Sequence, residues 1–291
     1  MIVGIASFAC MDAIIKWVAT LYPLPMVVAL RSWFGLPVML LMVHFQGGFA
    51  RLHSRRPGVH FLRFLLVLGL SFSFFWALSR MKLVDAVALT FVAPILVAGL
   101  SVPLLGEAVG RHRWIAIGVG FIGVVVMLRP GSGVFQWASL VVLGSALCYA
   151  LLMVSTRAYK VTEHSEALMF WPAFGISLAG VVLAPIYWVT PGWFDLILFA
   201  VAGMFGSMGI MCLTHAFRLA PAALVSPFEY TALIWATILG YLVWGDLPES
   251  HTVAGATVIV ASGLYILYRE TVRRGEARPV SAGISPDDPT V

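Results

Sequence analysis

The sequence predicts an all-α membrane protein of ten transmembrane helices, arranged as two inverted five-helix repeats. Three observations predict it. Of 291 residues, 61% are apolar and 11% are charged. An ordinary soluble domain carries about 25% charged residues, so this chain has too little polar surface to cover a core of its size. The apolar residues gather into ten runs, most near the ~20 residues that cross a ~30 Å hydrocarbon layer. The last five runs repeat features of the first five. A membrane β-barrel would show alternating segments of about ten residues. Runs such as WIAIGVGFIGVVVML, from Trp114 to Leu128, do not alternate.

The first span, 2–20, carries Asp12 and Lys16 four residues apart, hence on one helical face. Exposed to lipid, each charge would cost about 2.5–3.5 kcal/mol. Lining a wet cavity or pairing between helices removes most of that cost; snorkelling toward opposite ends is the blander reading, and it is difficult for Asp12 near mid-depth. The second span, 26–45, carries Arg31 about a turn and a half from its start, placed to clamp a carboxylate or to hold helix packing, near Asp12 or Lys16. The third, 60–79, contributes Trp76. The fourth, 84–104, carries Thr90 and Pro94 and closes on Gly106-Glu107.

The fifth span, 112–128, has a stripe of Gly118, Gly120 and Gly123, expected to bring helices close. The sixth, 134–156, carries Tyr149; the seventh, 165–187, carries Trp171. The eighth is 193–213. The ninth, 221–243, carries Pro227, Glu229 and Tyr230 and closes on Gly245-Asp246. Glu229 is a candidate to bind a substrate amine, to cycle a proton, or to lock two helices. The tenth span is 252–268, and the polar, Pro-rich stretch 270–291 is expected to be disordered. Trp17, Trp76, Tyr149, Trp171 and Tyr230 are candidate cavity aromatics, although each alone is as well explained by packing.

Short connections leave no room for a soluble domain between spans. With both termini on one side, that side holds thirteen Lys and Arg (Arg51, Arg55, Arg56 and Arg63 among them) and the other holds Arg80, Lys82 and Arg129. Positive charge favours the cytoplasm, so both ends are expected there, in a bacterial inner membrane. Cys10, Cys148 and Cys212 lie apart in apolar stretches without metal-ligand spacing. No nucleotide loop, metal cluster or interfacial carboxylate cluster is evident, and the reading is of a protein without cofactor, not an enzyme and not a nucleic-acid binder.

Ala88–Leu128 aligns without gaps on Pro227–Leu267, placing Gly106-Glu107 on Gly245-Asp246 and Thr90 on Glu229. Met11-Asp12-Ala13 falls near Cys148-Tyr149-Ala150. Five spans per repeat is odd, so the second copy (131–269) enters from the face opposite the first (1–130). That plan is found in secondary transporters, which bind substrate near the midplane. Pro94 and Pro227 mark equivalent bent helices, and Glu107 and Asp246 are gate or loop-fixing candidates, with Arg111 or Arg113 the expected partner of Glu107.

APILVAGLSVPLL followed by Gly106-Glu107, the small-residue fifth span ending at Arg129-Pro130, MDAIIKW in span 1 and LRSWFG in span 2 together resemble the drug/metabolite transporter superfamily, in its EamA-like branch. The resemblance covers about Gly4 to Tyr268. It implies alternating access by a carrier of small metabolites, linked to protons or another gradient, as monomer or homodimer. It points first to export of amino acids, aromatic ones included. The alternatives are uptake of a vitamin, nucleoside or adenosyl compound, or a passive channel. Spans 1–4 and 6–9 are expected to wall the pocket, leaving spans 5 and 10 for packing or dimer contact.

Overall fold

The computed structural model describes residues 1–45, 48–54, 56–106, 111–128, 137–159, 162–219 and 226–276. These residues are all-helical, with no strand among them. Six stretches are long and apolar enough to cross a membrane: Leu24–Phe45, Pro57–Leu78, Leu83–Leu105, Trp137–Tyr159, Ser165–Tyr187 and Trp193–Leu213. Three shorter apolar stretches, Trp114–Leu128, Phe228–Trp244 and Ser250–Ile266, accompany them.

The helices are α1 (Ile2–Val18), α2 (Leu24–Phe45), α3 (Pro57–Leu78), α4 (Leu83–Thr90), α5 (Ala93–Leu105) and α6 (Arg111–Leu128). They continue with α7 (Trp137–Tyr159), α8 (Ser165–Tyr187), α9 (Trp193–Leu219), α10 (Ala232–Trp244) and α11 (Ser250–Glu276). Short 3-10 turns occupy Phe49–Leu52 and Ser226–Thr231.

Three differences from the expected spans matter. The fourth span is broken. Pro94 lacks an N–H and its ring would clash with the carbonyl four residues back, that of Thr90. Accordingly α4 stops at Thr90, Phe91 and Val92 bond back three residues rather than four, and α5 restarts at Ala93. The ninth span is also interrupted: Ser226–Thr231, which contains Pro227, is a 3-10 turn, and the α-helix begins only at Ala232. At the other extreme, α11 runs to Glu276, well into the stretch expected to be disordered.

Contacts between helices form a closed ring. α1 packs on α9, α9 on α2, α2 on α8, α8 on α3, and α3 on α7. α7 then packs on α4 and α5, α4 on α10, and α10 on α1. Early and late helices alternate at every step. α6 and α11 stand aside and pack chiefly on each other. Their contact is close because two glycines meet: a Cβ on Gly123 would lie 2.8 Å from the Gly255 carbonyl oxygen, and one on Gly255 would lie 2.6 Å from that of Gly123. Gly120 also faces a neighbour, whereas Gly118 faces none. Without a hydrophobic drive between helices in lipid, such backbone proximity supplies the packing. α5 and α10 end alike, on Gly106 (φ 68°) and Gly245 (φ 71°), in the left-handed region where a side chain is strained.

Candidate functional site

Asp12 and Arg31 are brought together, on α1 and α2. The turn between these helices puts each residue about 10 Å along its helix from the shared end. Both are half-buried and interact electrostatically. Arg31 Nη1 donates to Met11 Sδ at 3.4 Å, and its guanidinium lies 5.4 Å from the Phe75 ring centre, on α3. Its buried Nε has no hydrogen-bond partner among the described residues. Gly206 of α9 leaves the space: a Cβ there would come within 3.1 Å of Arg31 Nη1. Four helices of the ring therefore converge on this guanidinium.

Lys16 shares a face with Asp12 but pairs elsewhere. Its side chain extends beyond the end of α1, where Nζ donates to the Met81 carbonyl at 2.8 Å. Nζ also lies 3.6 Å from Asp246 Oδ2 and 4.7 Å from the Trp244 ring centre. The acid closing α10 is thus tied to α1 and to the loop before α4. Nearby, Lys82 Nζ is 3.2 Å from Glu249 Oε1, and Thr252 donates to Asp85 at 2.7 Å. Tyr22, in the loop after α1, donates to Asp195 at 2.6 Å, and that bond holds its hydroxyl protonated above the usual tyrosine range. This face of the molecule is closed by polar bonds between early and late helices.

The second acidic centre is Glu229, half-buried in the 3-10 turn that packs against α1. Its carboxylate acts electrostatically on the hydroxyls of Tyr149 on α7 and Tyr230. The Tyr230 ring meets Phe91 edge-on, 5.2 Å between centres. Phe91 is the residue at the α4–α5 break, so the two interrupted helices touch through this aromatic pair. The Tyr230 hydroxyl sits over Gly263 of α11, where no Cβ would fit.

Of the remaining candidates, Thr90 caps its own helix by donating to the Val87 carbonyl at 2.6 Å. Pro94 makes the break described above. Trp76 packs against the core and lies under the Arg80 guanidinium at 4.1 Å. Trp17 is 46% exposed on the outside of α1. Trp171 donates to the Leu52 carbonyl at 2.9 Å and meets His60, Phe170 and Phe174. Among the described residues, no hydrogen bond or ring contact joins either tryptophan to Asp12 or Glu229. The Pro227 side chain and all of Glu107 lie outside the described residues, and so does the ion pair expected for Glu107.

Sequence reasoning missed Arg63, which it used only as one of the thirteen basic residues counted for orientation. It is 4% exposed. Its Nε donates to the Leu168 carbonyl at 3.1 Å, and its Nη1 donates to the Leu152 carbonyl, Ser155 Oγ and Thr156 Oγ1 at 2.7–3.0 Å. Beside it His60 Nε2 is 3.3 Å from Glu163 Oε2, and Arg51 donates to Glu166 at 2.7 Å. The available signal was the spacing of His60 and Arg63, one turn apart on one face, with an adjacent Ser155-Thr156 pair elsewhere to receive them.

Known proteins resemble this chain over nearly its whole length. The S-adenosylmethionine uptake transporter of Rickettsia prowazekii (strain Madrid E) is 32% identical over 240 residues, 82% of this chain and 81% of its own. A riboflavin transporter of Rhizobium johnstonii is 28% identical over 96% of this chain and 92% of its own. A riboflavin transporter of Vibrio cholerae is 25% identical over 94% of each. A solved crystal structure superposes with a TM-score of 0.62, covering 94% of this chain and 99% of its own at 18% identity, a likeness of fold. The family model for EamA-like transporters matches residues 1–129 and again residues 136–268, and the chain belongs to that family.

Proposed function

We propose that this transporter takes up an adenosyl-type metabolite by alternating access, with its binding pocket inside the helix ring. The observation that carries the reading is the pair of polar centres set within that ring: Asp12 with Arg31, and Glu229 with Tyr149 and Tyr230. Ionisable groups at such depth are costly unless they serve a pathway or a partner. A guanidinium with a free Nε suits a carboxylate, and aromatic rings beside an acid suit a charged solute carrying a heterocycle. The relative named for S-adenosylmethionine uptake supports this direction and substrate class over the amino-acid export first expected. The relatives named for riboflavin support a flat heterocycle as the shared element.

The proposal includes ten spans in two inverted repeats, 1–130 and 131–269, in a bacterial inner membrane with both termini and the tail 270–291 cytoplasmic. Support comes from the doubled family match, from the like ends at Gly106 and Gly245, and from ring contacts that exchange under the repeat, α1 with α9 answering α3 with α7. Protons are the proposed coupling ion.

The test is counterflow of labelled S-adenosylmethionine in proteoliposomes, with riboflavin and an amino-acid panel as competitors. Saturable exchange, at least about tenfold weaker in Arg31→Ala, is expected, the loss matching one charge-assisted hydrogen bond. Exchange of amino acids in place of the adenosyl compound would return the export reading. Flux without counterflow would make the protein a channel.

A further inference from the structure

We infer that the sulfur of Met11 is a specificity element of the transport site: it holds the Arg31 guanidinium by a bond weak enough to leave the planar fork to a carboxylate on the solute. The inference rests on the uptake reading and names the residue that readies Arg31 for the anionic end of that solute.

Two arginines among the packed helices are bonded in opposite ways. Arg63 gives Nε and Nη1 to two carbonyls and two hydroxyls, four oxygens at 2.7–3.1 Å. Arg31 gives Nη1 to a thioether at 3.4 Å, and its buried Nε bonds to nothing among the described residues. Asp12 acts on it electrostatically, with no hydrogen bond between the two among the described residues. An arginine kept for structure finds oxygens, because a donor left unmade away from water is costly. A thioether is a weak acceptor, and a guanidinium has five N–H donors. Arg31 therefore retains most of its bonding capacity.

The surroundings fix this guanidinium without competing for it. The Phe75 ring centre lies 5.4 Å from the guanidinium carbon, and a ring attracts a cation while leaving its N–H groups unbonded. Gly206 of α9 supplies the room: a Cβ there would lie 2.8 Å from Met11 Sδ and 3.1 Å from Arg31 Nη1. One turn earlier α9 presses on the backbone of Arg31, where a Cβ on Gly203 would lie 2.7 Å from the Arg31 carbonyl oxygen. Backbone, sulfur and ring thus set where the guanidinium stands. Its edge from Nε to Nη2 makes no hydrogen bond among the described residues, and such an edge presents the two parallel N–H groups that bind a carboxylate.

Met11→Gln tests this, because it puts a strong acceptor where the weak one stands. In proteoliposomes, S-adenosylmethionine and its decarboxylated form compete for labelled exchange. The wild type is expected to prefer the carboxylate-bearing compound by about tenfold or more, matching one charge-assisted hydrogen bond. Met11→Gln is expected to melt no lower than the wild type and yet to lose most of that preference, with exchange at saturation retained. Met11→Leu, which has bulk but no acceptor, should fall between the two. Should Met11→Gln fail to fold, Gly206→Ala is expected to show the same loss, its methyl displacing sulfur and guanidinium together. In detergent, an arginine-selective dicarbonyl reagent is expected to label Arg31, read by mass spectrometry. Acetate, a bare carboxylate, should slow that labelling in the wild type and not in Met11→Gln. A preference that survives in Met11→Gln and Gly206→Ala, or that falls only in step with the melting temperature, overturns the role of Met11 and leaves uptake standing. Absence of adenosyl exchange, with acetate still protecting Arg31 in the wild type alone, overturns the uptake reading and leaves the inference standing. Adenosyl exchange without a carboxylate preference, or labelling indifferent to acetate in the wild type, overturns the inference.

Discussion

Arg63 shows what a buried charge demands. Its guanidinium satisfies two backbone carbonyls and two hydroxyls on α7 and α8, and removing it strands those acceptors away from water. Arg63→Ala is expected to destabilise the protein by about 3 kcal/mol or more, read as a lowered melting temperature in detergent. Arg63→Lys, with a charge but no planar fork, should recover only part of that. Asp12 and Arg31 call for a cycle rather than single changes. Asp12→Asn alone leaves the guanidinium uncompensated, so the Asp12→Asn/Arg31→Gln double variant should be more stable than additivity predicts, by about 1–3 kcal/mol. Strict additivity in melting experiments would mean that the two charges do not act as a pair. Both acids were legible in the sequence because a charge inside an apolar run stands out. Their partners were not. The spacing of Asp12 and Lys16 fixes a face, but the length of the lysine stem let it leave that face for Asp246, more than two hundred residues away. Arg63 was misread because basic residues near a span end serve orientation and burial equally well in a linear pattern.

At the scale of the element, the two interrupted helices carry most of the functional geometry. Pro94 and Pro227 marked them in the sequence, and the break at Phe91–Val92 follows from the ring of Pro94 opposing the Thr90 carbonyl. Pro94→Ala is expected to let α4 and α5 join, moving Phe91 off Tyr230 and lowering the transport rate more than stability; unchanged exchange kinetics would argue against a role for the break. Gly245 is a cleaner case. At φ 71° an alanine pays the left-handed penalty, so Gly245→Ala should cost about 1–2 kcal/mol in a melting experiment. The span ends were less legible. The 3-10 turn at Ser226–Thr231 and the extension of α11 to Glu276 depend on what those segments pack against, which hydropathy does not encode.

For the whole molecule, alternating access requires one face to open. The bonds from Lys16 to Met81 and Asp246, with Lys82–Glu249 and Thr252–Asp85, join early to late helices where α1 ends. Cysteines at Lys16 and Asp246, placed in a chain with Cys10, Cys148 and Cys212 replaced, should stop exchange when bridged by a reducible bifunctional thiol reagent, and exchange should return on reduction. Exchange undiminished by the bridge would show that this face stays shut throughout the cycle. The ring has a further consequence, for the order of assembly. α1 leaves the ribosome first, yet its broadest neighbour, α9, is made last but two among the helices; α2 awaits α8 and α9, and α3 awaits α7. The early helices must therefore wait in the bilayer, Arg31 held on α1 by its bond to Met11, until the later ones thread between them. Cutting the chain at the connection before α7 should yield two fragments that are each degraded alone and that regain exchange only when synthesised together.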